Sequence, residues 1–173
     1  VSNDMRGEDG LGNYASTGAV AQALCPYGFS WDGSGNCGRV QYSSCGTTKL
    51  ESKGYYAGNP TFTNLYVDGA ANPYRTNGWN LYRLTPSCEV FYQHAHVYDS
   101  SAANAKIVDF IATFEVGDKL FAGTQDTGSS IQSAAVAALQ STGSVVTTGM
   151  CMRCSHALIR TLTASGWSKV CEK

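Results

Sequence analysis

Charge is scarce in this 173-residue chain. Only 14% of residues are Asp, Glu, Lys or Arg, against roughly 25% in an average globular domain. The formal net charge is −1, so the chain carries no basic excess of the kind that tracks a phosphate backbone. No apolar run approaches the ~20 residues of a membrane-spanning helix. Heptads and long low-complexity tracts are also missing. These absences set aside a nucleic-acid binder, membrane insertion, a coiled coil and a disordered tail. Pro is rare, at four residues, and His numbers three. Polarity comes instead from Ser, Thr, Asn, Gln and 19 Gly, beside 10 Tyr and 3 Trp.

Seven cysteines stand out against that background: Cys25, Cys37, Cys45, Cys88, Cys151, Cys154 and Cys171. Seven free thiols suit a reducing compartment poorly, so the composition points to a secreted, disulfide-bonded protein. The chain begins at Val1 rather than Met and shows no signal peptide, and it is read as a mature chain whose leader has been removed. It contains no Asn-x-Ser/Thr acceptor for N-glycosylation. An odd count leaves one cysteine either free and buried or bonded to a second chain as a disulfide-linked homodimer. Cys25 and Cys37 make a plausible local pair, because Gly33, Ser34, Gly35 and Asn36 let the chain turn back between them. The remaining pairings stay open.

The chain reads as a single domain over 1–173. Residues 1–50 look loop-rich, with a short helix near Ala19–Leu24, and the periodic core starts near residue 54. Thr61–Val67 and Gly78–Leu84 alternate and favour strand formers, with Asp68-Gly69 and Asn77-Gly78 as turns. Cys88–Tyr98 is a long strand with Val90, Tyr92, His94 and His96 on one face. A helix capped by Ser100 or Ser101 follows, its stripe formed by Ala103, Ile107, Phe110, Ile111 and Phe114. Lys119–Gly123 is a short buried strand, and Ile131–Gln140 is a second helix facing inward through Ile131, Ala135, Ala138 and Leu139. Val145–Thr148, Ser155–Thr161 and Trp167–Cys171 are expected to close the fold as strands. The sum is an α+β fold, an antiparallel β-sandwich-like domain with two helices and a disulfide-stapled N-terminal segment.

Residues 54–162 carry an ordered set of motifs. Val67-Asp68-Gly69 ends a strand, Asn77-Gly78-Trp79-Asn80 starts the next, and Val97-Tyr98-Asp99 leads into SSAANAKIVDFIATFEVGDKLFAGTQDTGSSIQSAAVAALQSTGS. This order resembles the domain shared by the interleukin-like EMT inducer, the pancreatic-derived factor and the stem of the O-mannose N-acetylglucosaminyltransferase. The resemblance implies an α+β sandwich, secretion and, through the transferase stem, sugar binding. In that stem an Asp of an Asp-x-Gly-Ser loop and an Arg after the next strand hold the sugar. Asp126 and Arg153 stand at the matching positions here. The second position departs from the pattern, since Met152-Arg153-Cys154-Ser155-His156 replaces an aromatic-Arg-Asp-x-Trp run. Size, cysteine content and secreted character also resemble galactose-binding, calcium-using lectins of the sea-anemone type.

The residue chemistry can be read beside that resemblance. Sugars are held by a few convergent polar groups over an apolar or aromatic floor. Carboxylates and amides suit vicinal diols, since each offers two acceptors, or an acceptor and a donor, at fixed spacing. Asp126 leaves a strand just before a helix, with Gln125 before it and Ser129 after it. The same position also suits an Asx turn or a helix cap. Asp99 and Asn104 sit at the equivalent junction one unit earlier and could share a calcium ion with Asp126, an ion that takes ~6–8 oxygen ligands. Other oxygen-rich stretches are Asp4, Glu8, Asp9 and Asn13, and the pair Asp68 and Asn72. Trp79 is the candidate stacking ring for a sugar, with Trp31 and Trp167 as further aromatics that also serve a core. His94 and His96 at i, i+2, with His156, form the minimal set for a zinc hydrolase. Cys151-x-x-Cys154 lacks the strand-to-helix setting of a redox motif and reads as a structural pair. No catalytic triad, phosphate loop or dinucleotide fingerprint is evident, so the chain is read as a non-enzyme. The expectation is a secreted lectin for glycans with terminal galactose, assisted by calcium and dimeric. The competing expectation is a cytokine-like secreted signal that binds a protein receptor.

Overall fold

The computed structural model describes residues 38–54, 61–75, 77–95, 101–126, 128–151 and 153–172. Among these residues nine strands and two helices follow in chain order: β1 (Arg39–Gln41), β2 (Thr48–Lys53), β3 (Phe62–Val67), β4 (Ala70–Ala71), β5 (Gly78–Leu84), β6 (Glu89–Ala95), α1 (Ser101–Ile111), β7 (Lys119–Gln125), α2 (Ser133–Ser141), β8 (Ala157–Thr163) and β9 (Gly166–Glu172). Every strand pairing is antiparallel. Six strands form one sheet in the order β1-β6-β5-β7-β8-β9, and three form a second in the order β2-β3-β4.

The packing is three-layered, and two hydrophobic clusters define it. On one face of the six-stranded sheet, Trp79, Leu81, Leu120, Ala122 and Leu158 meet Ile107, Phe110 and Ile111 of α1 and Ala135, Val136 and Leu139 of α2. On the other face, Tyr82, Leu84, Val90, Tyr92 and Phe121 meet Leu65 and Val67 of the small sheet. The central strands are covered on both sides, so β5 is buried at every position except Arg83, which is half-buried. Apolar side chains therefore fall on both faces of β5, Trp79 and Leu81 toward the helices and Tyr82 and Leu84 toward the small sheet. The helical stripe of α1 points inward as its spacing predicts, with Ile107, Phe110 and Ile111 buried. Phe114 follows the helix and stacks edge-on against Phe110.

Two expectations are corrected. Val145–Thr148 is not a strand: Val145 is exposed, and its amide donates to Glu172 Oε1 at 2.9 Å rather than to a ladder. Residues 38–50 are not merely loop, because β1 pairs with β6 and β2 pairs with β3 along its whole length. The closing strand expected at Trp167–Cys171 is present as β9 at the edge of the six-stranded sheet. The proposed helix at Ala19–Leu24 and the Cys25–Cys37 pair lie outside the described residues.

Among the described residues, two disulfides form. Cys45–Cys88 joins the segment between β1 and β2 to the β5–β6 turn, and Cys151–Cys154 closes a four-residue ring before β8. Cys171 is free and exposed, so the buried-thiol alternative does not apply to it.

Candidate functional site

Two of the sequence-predicted residues lie against one glycine at one end of the sandwich. Strand β7 carries Thr124 and Gln125 to that end, and Asp126 follows in a left-handed conformation with φ 65°. Asp126 forms an isolated parallel bridge with Gly54, just past the end of β2. Gly54 in turn lies against the backbone of Arg153, Cys154 and Ser155. A Cβ placed on it would fall 2.7 Å from the Ser155 nitrogen and closer still to the Arg153 carbonyl oxygen. Only glycine permits that approach. Asp126 and Arg153 therefore flank the same glycine.

Arg153 is exposed and also left-handed, with φ 67°. Ser130, in the loop after Asp126, is left-handed as well, with φ 66°. Non-glycine residues in this region are uncommon, and each costs of order 1–3 kcal/mol. Three of the five found among the described residues lie at this end of the molecule. Such strain persists only where the surroundings over-determine it.

Thr124 supplies the constraint. Its side chain is fully buried. Its hydroxyl donates to the Cys154 carbonyl at 3.1 Å and accepts from the His156 amide at 2.9 Å. Its own amide donates to the His156 carbonyl at 3.0 Å, and its carbonyl accepts from Ser52 Oγ at 2.6 Å. The strand before Asp126, the loop bearing Arg153 and the end of β2 are thus tied through one residue.

Gln125 braces the same end from the side. Its amide nitrogen donates to Asn77 Oδ1 at 3.1 Å, and its amide oxygen accepts from the Thr63 N–H at 3.1 Å. Both ends of the side chain hold the site together.

Beneath the site lies a buried polar cluster. Arg160 has no solvent exposure and pairs with Glu172 Oε2. It also donates to the carbonyls of Thr142, Gly143, Ile159 and Cys171 at 2.8–3.1 Å. Glu172 Oε1 accepts from Ser144 Oγ at 2.6 Å and lies 3.4 Å from His156 Nε2. Burial works against the Glu172 charge, but the bonds from Ser144, Val145 and Arg160 outweigh it and hold the carboxyl below its ordinary range. Burial lowers the His156 pKa, with Glu172 opposing and Arg160 adding to the shift. The carboxylate sits between the serine and the histidine, so His156 does not stand where a base would activate Ser144.

The other predicted positions lie elsewhere. Trp79 has no exposure; its indole N–H faces the Gly128 carbonyl at 3.4 Å and its ring packs against His156. It is a core residue, and its ring offers no face to a sugar. Asn104 is buried between the helices, where its amide oxygen accepts from the Gln132 N–H at 2.7 Å. Asp68 accepts from Ser44, Thr47 and the Gly46 amide, which hold its carboxyl down at about 2. Asn72 Oδ1 accepts from the Tyr74 amide. His94 Nε2 lies 2.6 Å from the Asn77 carbonyl. Asp99, His96, Trp31 and the acidic N-terminal stretch are outside the described residues.

Among the described residues, no three His, Cys, Asp or Glu side chains gather into a metal-holding group. Among the described residues no helix is long and apolar enough to cross a membrane.

No protein-family model matches the chain, and no curated protein matches it significantly.

Proposed function

We propose that the chain is a secreted carbohydrate-binding protein for glycans with terminal galactose, with Asp126 and Arg153 as its polar clasp. The observation that carries this reading is that the backbones of Asp126 and Arg153 both lie against Gly54, each residue held at a positive φ. A carboxylate accepts from two neighbouring hydroxyls, and a guanidinium donates to a hydroxyl or ring oxygen through a rigid fork. Galactose presents a cis 3,4-diol that matches two acceptors on one group. Rigid presentation matters because a small polar ligand repays little ordering entropy.

The exposed large hydrophobic side chains among the described residues are Val116 and Val145. A receptor-binding signal would be expected to present a larger contiguous apolar patch, so the polar-ligand reading is preferred. Calcium belongs to the proposal as an assisting ion at Asp126, with Asp99 as a further ligand. A homodimer would multiply weak single sites into useful avidity.

Calorimetric titration with lactose, in calcium and again in EDTA, tests this reading. Binding abolished by EDTA assigns the contact to a calcium ion. Binding that survives EDTA assigns it to a direct Asp126–Arg153 clasp. Failure to bind lactose, N-acetylglucosamine or mannose in either buffer overturns the proposal in favour of a receptor-binding signal.

A further inference from the structure

We infer that the Cys151–Cys154 disulfide is a redox-labile latch that holds the Arg153 loop against the end of β7, and that small thiols open it while the fold persists. Three observations carry this. The bond closes a ring of only four residues, whereas Cys45–Cys88 spans a sequence separation of 43. A shorter ring removes less entropy from the reduced chain, so its bond is less favoured against reduction. Cys151 is exposed, whereas Cys45 packs against the second hydrophobic cluster. Exposed disulfides are the labile and regulatory ones.

The ring also contains the strained Arg153, and its last residue supplies the carbonyl that Thr124 binds. Thus the bond sits at the joint between the two loops of the site and outside both hydrophobic clusters. Opening it releases the left-handed Arg153 and loosens the Thr124–Cys154–His156 junction, while the six-stranded sheet keeps its core.

The exchange balances with two molecules of a small thiol such as glutathione. One thiolate attacks the exposed Cys151 Sγ, the Cys151–Cys154 bond breaks, and the Cys154 thiolate leaves and takes a proton. The second thiolate attacks the sulfur of the bound small thiol, releasing Cys151 as a thiol and the two small molecules as their disulfide. The protein bond is reduced by two electrons and the small thiols are oxidised by two.

The consequence for sugar binding rests on the proposed function; the latch itself does not. The test uses the full chain carrying Cys171→Ser, which removes the free thiol. The chain is titrated with reduced glutathione, each cysteine's state is mapped by alkylation and peptide mass spectrometry, and amide exchange is followed in parallel. The latch predicts that Cys151 and Cys154 are alkylated at roughly tenfold lower glutathione than Cys45 and Cys88. It also predicts that the Cys154 and His156 amides lose protection while Leu81 and Leu120 keep theirs. Both disulfides opening together, or reduction without a change at Cys154 and His156, would overturn it. Cys151→Ser/Cys154→Ser should reproduce the loosened state without reductant; if that variant does not fold, the stepwise titration still decides. If the oxidised chain binds no sugar, the galactoside reading fails while the alkylation and exchange results still judge the latch.

Discussion

Thr124 and Cys154 stand 30 positions apart in the chain, and a single hydroxyl joins them, Thr124 Oγ1 donating to the Cys154 carbonyl at 3.1 Å. The same oxygen accepts the His156 amide. Thr124→Val keeps the shape of the side chain and strands both backbone groups in a buried setting. A loss of about 1–3 kcal/mol is expected. Thr124→Ser keeps the hydroxyl and should restore most of that loss. Urea unfolding of the three proteins checks the ordering.

Gly54 makes the sharpest steric prediction. Its neighbours are backbone atoms of Arg153, Cys154 and Ser155, which cannot swing aside as a side chain can. Gly54→Ala should cost about 1–3 kcal/mol, a fall in Tm of roughly 3–10 °C. Scanning calorimetry reads this directly. An unchanged Tm would mean that the two loops are not pressed together.

The buried ion pair gives a larger effect. Arg160 is fully enclosed and Glu172 is its acidic partner, with the carboxylate side chain only 2% exposed. Glu172→Gln preserves volume but leaves the guanidinium uncompensated. Breaking such a pair from one side costs about 3–5 kcal/mol. A urea midpoint that barely moves would show the pair to be solvent-screened.

Acid should weaken the fold in two separate ranges. The folded state lowers the His156 pKa, chiefly by burial, and so favours the neutral ring. Its contribution is complete above the ordinary value of about 6.5 and is lost as pH falls below it. Asp68 behaves as a carboxylate held at about 2, so its contribution is present above 3.8 and is lost as pH falls toward 2. Urea midpoints measured from pH 8 to pH 2 should decline in both ranges. His156→Gln should flatten the upper decline and leave the lower one in place.

Much of the fold was legible because local signals and burial agree. Gly78–Leu84 is a strand at the residues its pattern predicts, and α1 buries the stripe read from its spacing. Short or side-chain-held segments were not legible. Arg39–Gln41 has three residues, too few for a period to show, and Val145–Thr148 has strand-forming composition but is held by Glu172 and Gln140 instead of a partner strand. Trp79 misled because alternation does not reveal a second covering layer, and the helices bury the face that a sugar would need. Of the candidate site, Asp126 and Arg153 were proposed from loop position and resemblance, and the backbones of both lie against Gly54. Gly54 and Thr124 were not, since their roles arise from contacts across the fold that leave no local pattern. Asn104 had the right chemistry, but its amide is spent between two helices.

The central claim is that Asp126 and Arg153 form one sugar site around Gly54. The most direct measurement is an amide-resolved magnetic resonance titration of the oxidised protein with lactose in calcium, repeated with Asp126→Ala and Arg153→Gln. The account predicts saturable shifts concentrated at Gly54, Asp126, Arg153 and Cys154, weakened at least tenfold by either substitution. Shifts confined to another surface, or an affinity indifferent to both substitutions, would contradict it.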